Sequence, residues 1–277
     1  MEGSNTMPSE KIELLGKGLY KDIPSTLTLK NLPTSSELDY VGAEDFNKTM
    51  LDQILPKAVE EQVNFRDLLE IDFYWICRCL RILNYGPYHT TNAIYCTDCD
   101  KISRGEYQVD LRSIECNTLP DGFKNDMCIS KDSFIDFDKD IHFRLLTIKD
   151  ILTAYEDTAF ARPDGSIDRA LARMCYMITS IGGNTGRTPV EIKMILMNDL
   201  SAADYIMLKD AINNLSDYGL HVSGTAQCPK CGSKTAKFFA LVDDRFFRPS
   251  VGNLKRWKLD RNARRDEDSA GASAKTV

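Results

Sequence analysis

The chain has 277 residues, 43% hydrophobic and 27% charged, the composition of an ordinary soluble globular protein with room for one large domain or two modest ones. A net charge of −6 argues against wholesale coating of nucleic acid, which takes a basic domain, and does not exclude a local basic patch. Met1 to Ser9 is polar and lacks the apolar core of a signal peptide. The most apolar stretch, Leu68 to Leu83, is interrupted by Glu70, Asp72, Arg78 and Arg81, so no membrane span is expected. Nine cysteines, an odd number, read as thiols and metal ligands in a reducing cytoplasm rather than as a disulfide frame.

Lys11 to Lys30 reads as short and extended, with turns at Gly16, Gly18 and Pro24, and Thr26 to Leu29 alternates as a half-buried strand does. Asp45 to Leu55 suits a helix stopped by Pro56. A stronger helix is expected from Arg66 to Asn84, where Leu69, Trp75, Ile76, Leu80 and Leu83 recur at near-helical spacing. Asn64 would cap it and Gly86-Pro87 would end it. Tyr88 to Tyr95 reads as a strand, and Gly105 to Cys116 holds another. Residues 117–146 mix strand-like runs with Asp and Gly turns and show no clear period.

From Ile148 to Gly219 the pattern turns helical. Ile167, Leu171, Met174, Ile178 and Ile181 make one apolar stripe closed by Gly182-Gly183. Thr188-Pro-Val-Glu191 is a capping box with proline at the first helical position, and Ser201-Ala-Ala-Asp204 is a looser version. Tyr205, Leu208, Ile212 and Leu215 stripe the helix that follows. Strand-like sequence returns at His221 to Ser223 and at Lys237 to Leu241, and the polar final dozen residues are expected to be mobile when unbound.

The chemistry concentrates in two Cys-x-x-Cys pairs, Cys96/Cys99 and Cys228/Cys231. Two residues between cysteines let a tight turn aim both sulfurs at one point, and four thiolates at tetrahedral corners are what a structural zinc takes. The second pair, Cys228-Pro-Lys-Cys-Gly232, adds a proline that presets one backbone angle and a glycine free to adopt a positive φ. Strand, cysteine turn, strand, occurring twice, is the plan of a zinc ribbon. The pairs are far apart for a ribbon, Cys99 and Cys228 being 129 positions apart, but loop closure costs grow only logarithmically with length. Four cysteines close the coordination shell, which leaves no open position for a catalytic metal. Cys77, Cys79, Cys116, Cys128 and Cys175 read as small core residues.

Other constellations are bland. His89, His142 and His221 fall in no nucleophile or metalloprotease motif. Gly182 to Arg187 lacks the Gly-Lys-Ser/Thr ending of a phosphate loop, and Asp132 to Asp140 lacks the glycine and glutamate of a calcium loop, which favours a solvated segment. Lys255 to Arg265 is basic around Trp257, with Arg256, Arg261, Arg264 and Arg265 as candidate contacts. It suits docking onto an acidic protein partner through Trp257, or an electrostatic nucleic-acid contact.

Asp67-Leu-Leu-Glu-Ile-Asp-Phe-Tyr-Trp75, followed by Leu80-Arg-Ile-Leu-Asn-Tyr-Gly86, Tyr88, Cys96-Thr-Asp-Cys99 and Val109-Asp-Leu111, resembles the baseplate hub family of contractile-tailed, T-even-like bacteriophages. The family opening is similar to Leu15-Gly-Lys-Gly-Leu-Tyr20 and the extended Thr26 to Leu29 here. The likeness covers roughly residues 11–115 and, more weakly, the second cysteine pair and Phe246-Phe-Arg-Pro249. The order and spacing of these short pieces carry it. The resemblance implies a non-enzymatic hub or hub-assembly component. Its partners would be other baseplate or tail proteins, or further copies in a symmetric assembly, and it would assemble in the host cytoplasm and reside in the virion. A chaperone that leaves after hub assembly and a zinc-ribbon nucleic-acid-binding regulator are the other readings.

The expected architecture is α+β. An N-terminal extended arm (1–40) precedes a helix and zinc-clamped β region built from 41–116 and 219–250. Residues 117–218 form a mostly helical insertion, and a basic, partly disordered tail (251–277) follows.

Overall fold

The computed structural model describes residues 9–17, 19–33, 36, 45–214, 218–242, 246–247, 249–260 and 262. Near the N-terminus the alternating pattern forms strands. β1 (Ser9–Glu13) and β2 (Thr26–Lys30) pair antiparallel, with Ile12 opposite Leu27. This segment is no free arm, because Leu27 and Leu29 are fully buried in the main core. The loop after β1 is clasped by Asp72, whose wholly buried carboxylate accepts from the backbone N–H of Leu15 (2.5 Å) and Gly16 (3.2 Å) and from the Tyr20 hydroxyl. Burial pushes the Asp72 carboxyl above its usual range, while these three donors pull the other way.

Helix α1 starts at Phe46 behind the Asp45 cap, and Pro56 does not stop it. Met50–Ile54 widens into a π turn, after which Pro56 falls in the first turn of Leu55–Ala58, where its missing N–H is not needed. Asn64 caps only the short 3-10 turn Phe65–Asp67. The chain is then extended at Leu68 and Leu69 before α2 (Glu70–Tyr85) begins. That extended step has a use: Leu69 bridges to Thr147, and the Glu70 N–H donates to the Leu146 carbonyl at 3.0 Å, joining the two halves of the molecule.

On α2, Phe73, Ile76, Cys77 and Leu80 are fully buried, and so is Arg81. The Arg81 guanidinium is satisfied by carbonyl oxygens, donating to Phe246 (2.7 Å), Gly86 (2.5 Å) and Tyr88 (2.9 Å). Desolvation lowers its pKa to about 10. Gly86 ends the helix with a φ of +76°, and β3 (Tyr88–Cys96), β4 (Lys101–Asp110) and β5 (Ile114–Asn117) follow.

The block expected to be helical also holds a three-stranded antiparallel sheet, in the order β6 (Met127–Ile129), β7 (Ile141–Phe143), β8 (Ile178–Ile181). Thr147 and Thr188 both form complete capping boxes, opening α3 (Ile148–Glu156) and α5 (Pro189–Asn198). Between them, α4 (Arg169–Met177) is cut short. The apolar stripe that ran on to Ile181 changes from helix to strand at Ile178, where the branched Ile178-Thr-Ser-Ile181 segment pairs with β7 instead of adding a helical turn.

Ser201 caps α6 (Ala202–Asn213), whose expected stripe residue Leu215 lies outside the described residues. The Asp204 carboxylate, besides its hydrogen bond with the Ser201 side chain, accepts from the N–H groups of Ile135 (2.6 Å), Asp136 and Phe137 (3.1 Å each). The acidic run is therefore pinned at its middle by a buried carboxylate, with Phe134 and Phe137 folded inward, rather than being a simply solvated segment. This block carries its own hydrophobic cluster around Ile141, Phe160, Cys175 and Leu208.

The late strands β9 (Gly219–Ala226) and β10 (Ala236–Phe239) return to the first half. They enter one five-stranded antiparallel sheet in the order β4-β3-β10-β9-β5. Packing is close where Gly219 passes α2: a Cβ there would stand 2.7 Å from an Ile71 methyl. Residues 251–260 form helix α7, which packs back on the sheet. Asn253 bonds Gln108 (2.6 Å) and Thr90 (3.0 Å), and the Tyr88 hydroxyl donates to Asp260. The architecture is α+β.

Candidate metal centre

Each cysteine pair sits in the turn of a hairpin. Cys96 ends β3 and pairs with Lys101, so Thr97 to Asp100 form one knuckle between β3 and β4. Cys228 to Cys231 form the other, between β9 and β10. Both knuckles turn out of the second cysteine in the same way, through a residue of positive φ: Asp100 at +49° and Gly232 at +77°. The second turn is closed by the Gly232 N–H on the Cys228 carbonyl (2.9 Å) and the Cys228 N–H on the Ser233 carbonyl (2.7 Å). β3 and β10 pair antiparallel, Tyr95 opposite Lys237, and that contact sets the hairpins side by side. Asp98 of the first knuckle accepts from the Ser233 (2.5 Å) and Thr235 (3.1 Å) hydroxyls of the second.

All four Sγ atoms lie within 4.8 Å of one another. Cys96 and Cys231 are 3.6 Å apart, and Cys99 and Cys228 are 3.9 Å apart. A tetrahedral thiolate site with metal–sulfur bonds of about 2.3 Å has sulfur–sulfur edges of about 3.8 Å, while a disulfide needs about 2.05 Å. The donor set therefore fits one metal ion, held by thiolates that 129 and 135 positions separate in sequence.

Cys96 and Cys228 face the core, Cys99 is half-buried and Cys231 is exposed. The N–H groups of Cys231 and Lys230 point at the Cys228 sulfur, the latter at 3.4 Å, and lower its thiol to about 6. Cys99 is pushed up to about 12, by desolvation first and then by hydrogens shared with the other three sulfurs. The Cys228 sulfur is thus the more readily deprotonated, while the raised Cys99 and Cys231 thiols would lose their protons on binding a cation.

The remaining cysteines divide. Cys77, Cys79 and Cys175 are buried as expected, but Cys116 lies half-buried on β5, and Cys128 is exposed on β6 directly opposite His142. His142 Nδ1 is 3.2 Å from Asp126 Oδ1, which completes a Cys-His-Asp neighbourhood the sequence did not reveal. Desolvation and the charges of Asp140 and Asp126 raise the Cys128 thiol, the reverse of an activated nucleophile.

Of the C-terminal residues, Trp257 and Arg256 contact this chain itself. Trp257 lies half-buried against Gly86, where a Cβ would stand 2.3 Å from its ring. Arg256 stacks on the Tyr88 ring at 4.3 Å and donates to Gln108 at 2.6 Å. A free Trp257 anchor is not what the fold presents. Arg261, Arg264 and Arg265 lie outside the described residues. Among the described residues no helix is long and apolar enough to cross a membrane.

A cleft of about 520 Å³ also opens between the two halves, lined by Tyr74, Leu146, Met177, Tyr218 and His221. Its polar wall is the paired Arg173 and Glu70, at 2.5 and 2.6 Å. Comparison with protein-family models, with curated proteins and with solved structures finds no match.

Proposed function

We propose that the four cysteines hold one structural zinc ion, and that the protein is a non-enzymatic component of a phage contractile-tail baseplate, at or near the hub. Zinc is favoured because an all-thiolate tetrahedral set suits an ion with no geometric preference of its own and leaves no position for water. The metal acts as a staple: it joins β3 and β10 where the sheet is made from distant parts of the chain.

One observation supports the baseplate reading most directly. The short pieces that carry the family resemblance meet in space. Asp72 holds Leu15, Gly16 and Tyr20 to α2. Arg81 holds Gly86, Tyr88 and Phe246, and Arg78 donates to the Leu111 carbonyl at 3.2 Å. That packing supports reading these pieces as one structural unit. The experiment is mass spectrometry of purified particles of a phage that encodes the chain. Presence at a small integer copy number is expected. Absence from finished particles would favour an assembly chaperone, and strongly salt-dependent DNA binding by the isolated protein would favour the nucleic-acid reading.

A further inference from the structure

The inner face of the five-stranded sheet is covered by α2 and the main core, to which Ile94, Ala236 and Phe238 belong. Around Tyr95 no described residue packs over its outer face; α7 lies on the sheet towards its other end, at Thr90 and Gln108. Tyr95 stands directly opposite Ile102 on β4 and Lys237 on β10, so these three side chains share that face. Arg104 and Phe239, each two residues further along a strand, share it as well. The Ala240 N–H bonds the Val222 carbonyl at 2.9 Å, so the ladder runs past β10 and Leu241 continues the same alternation.

An antiparallel sheet with one wet face should turn polar side chains outward. This one turns out Ile102, Phe239 and Leu241 at 57, 61 and 64% exposure, with Tyr95 at 37%. Contiguous apolar side chains left in water at such exposure mark a contact surface. Two cations, Arg104 and Lys237, stand among them, neither with a carboxylate partner among the described residues, while the nearby Asp100 carboxylate is occupied by the Tyr95 hydroxyl at 3.1 Å. Lys230 adds a third at the knuckle end, its Nζ on the Ile102 carbonyl at 3.4 Å.

We propose that this face docks an acidic polypeptide segment that carries apolar side chains, laid across β4, β3 and β10. The charges select the occupant. A two-fold pairing of this face with a second copy would gather two Arg104 and two Lys237 in one interface, an accumulation of like charge that disfavours the pairing. Single-stranded nucleic acid would use stacking on Tyr95 and Phe239, but Ile102 and Leu241 offer it no ring, and a strand-tracking groove needs a longer line of cations. An acidic, apolar segment satisfies both kinds of residue. The inference deepens the reading of the chain as a protein-contact component and rests on it.

The test is fluorescence anisotropy with the metal-loaded full chain and three labelled probes: a peptide alternating Glu with Leu and Phe, the same peptide with Lys for Glu, and oligothymidylate. The acidic peptide should bind and weaken with salt. Phe239→Ser should reduce its affinity at least about tenfold, and Arg104→Glu with Lys237→Glu should transfer the preference to the lysine peptide. Arg104 and Phe239 are exposed and Lys237 is half-buried on the outer face, so metal content and unfolding midpoint should be unchanged in the variants. Equal binding of both peptides, no binding of the acidic one, a Phe239-dependent affinity for oligothymidylate alone, or Phe239-dependent dimerisation would each overturn the proposal. Failure of the virion experiment would remove the baseplate reading and leave this binding result standing.

Discussion

Arg81 and Phe246 are 165 positions apart, yet the Arg81 Nε–H donates to the Phe246 carbonyl at 2.7 Å inside a site closed to solvent. The same guanidinium reaches Gly86 and Tyr88, so one side chain fixes the end of α2, the start of β3 and the late Phe246-Phe247 turn. Replacing Arg81 with Met would remove three buried hydrogen bonds to carbonyl oxygens. We expect a loss of about 3–5 kcal/mol, seen as a lower urea midpoint. Arg81→Lys, with one compact charge in place of a fork, should fall between the two.

Cys228→Ser should abolish stoichiometric metal binding, and elemental analysis of the unmutated chain should find one zinc per chain. Strong chelation should lower the thermal midpoint of the unmutated protein and leave that of the variant unmoved. A metal-free wild-type chain of unchanged stability would end the zinc reading.

Asp72→Asn keeps the size of the side chain but offers an amide where three donors converge. One N–H or O–H then faces a donor instead of an acceptor, a cost of about 1–3 kcal/mol. The β1–β2 hairpin should open before the rest, so amide exchange at Leu15 and Gly16 should accelerate while β9 and β10 stay protected.

Asp204 makes the 134–137 loop acid-sensitive. Burial alone would raise its carboxyl, but the N–H groups of Ile135, Asp136 and Phe137 outweigh burial and hold it below its usual value. A depressed folded pKa gives stability that is present above the unfolded value, about 3.9, and is lost as pH falls through the folded one. Exchange at Ile135 to Phe137 should therefore quicken on acidification below that value. Asp204→Asn should show the fast rate at every pH.

Gly86→Ala tests how α7 docks. The position has a φ of +76°, and its new methyl would overlap the Trp257 ring. Backbone strain of about 1–3 kcal/mol is expected. In a Trp75→Phe background, the Trp257 emission should shift red as the indole is expelled.

Some of this was legible without a fold. The cysteine knuckles, the capping box at Thr188, the N-cap at Ser201, the stop at Gly86 and the strand at Thr26 each depend on chemistry within a few residues, and sequence displays that directly. The misread elements fail for a common reason. Pro56 should stop a helix, but a π turn upstream changed its position in the hydrogen-bond ladder. The stripe from Ile167 to Ile181 has helical spacing throughout, but β7 offered Ile178 to Ile181 a better partner. Trp257 and Arg256 read as an exposed docking pair, but Gly86 and Tyr88 supply surfaces for them within the chain.

The sequence by itself determined the two cysteine pairs, the local turns that aim them and the mixed α and β character. The tertiary structure decided that the two cysteine pairs meet, through the β3–β10 pairing. It also decided that Asp72, Arg81 and Asp204 are buried clasps rather than surface charges, and that Tyr95, Ile102 and Phe239 face water while their neighbours face the core. Those outcomes depend on which distant segment supplies a partner and excludes solvent, and no periodicity within a single segment carries that information.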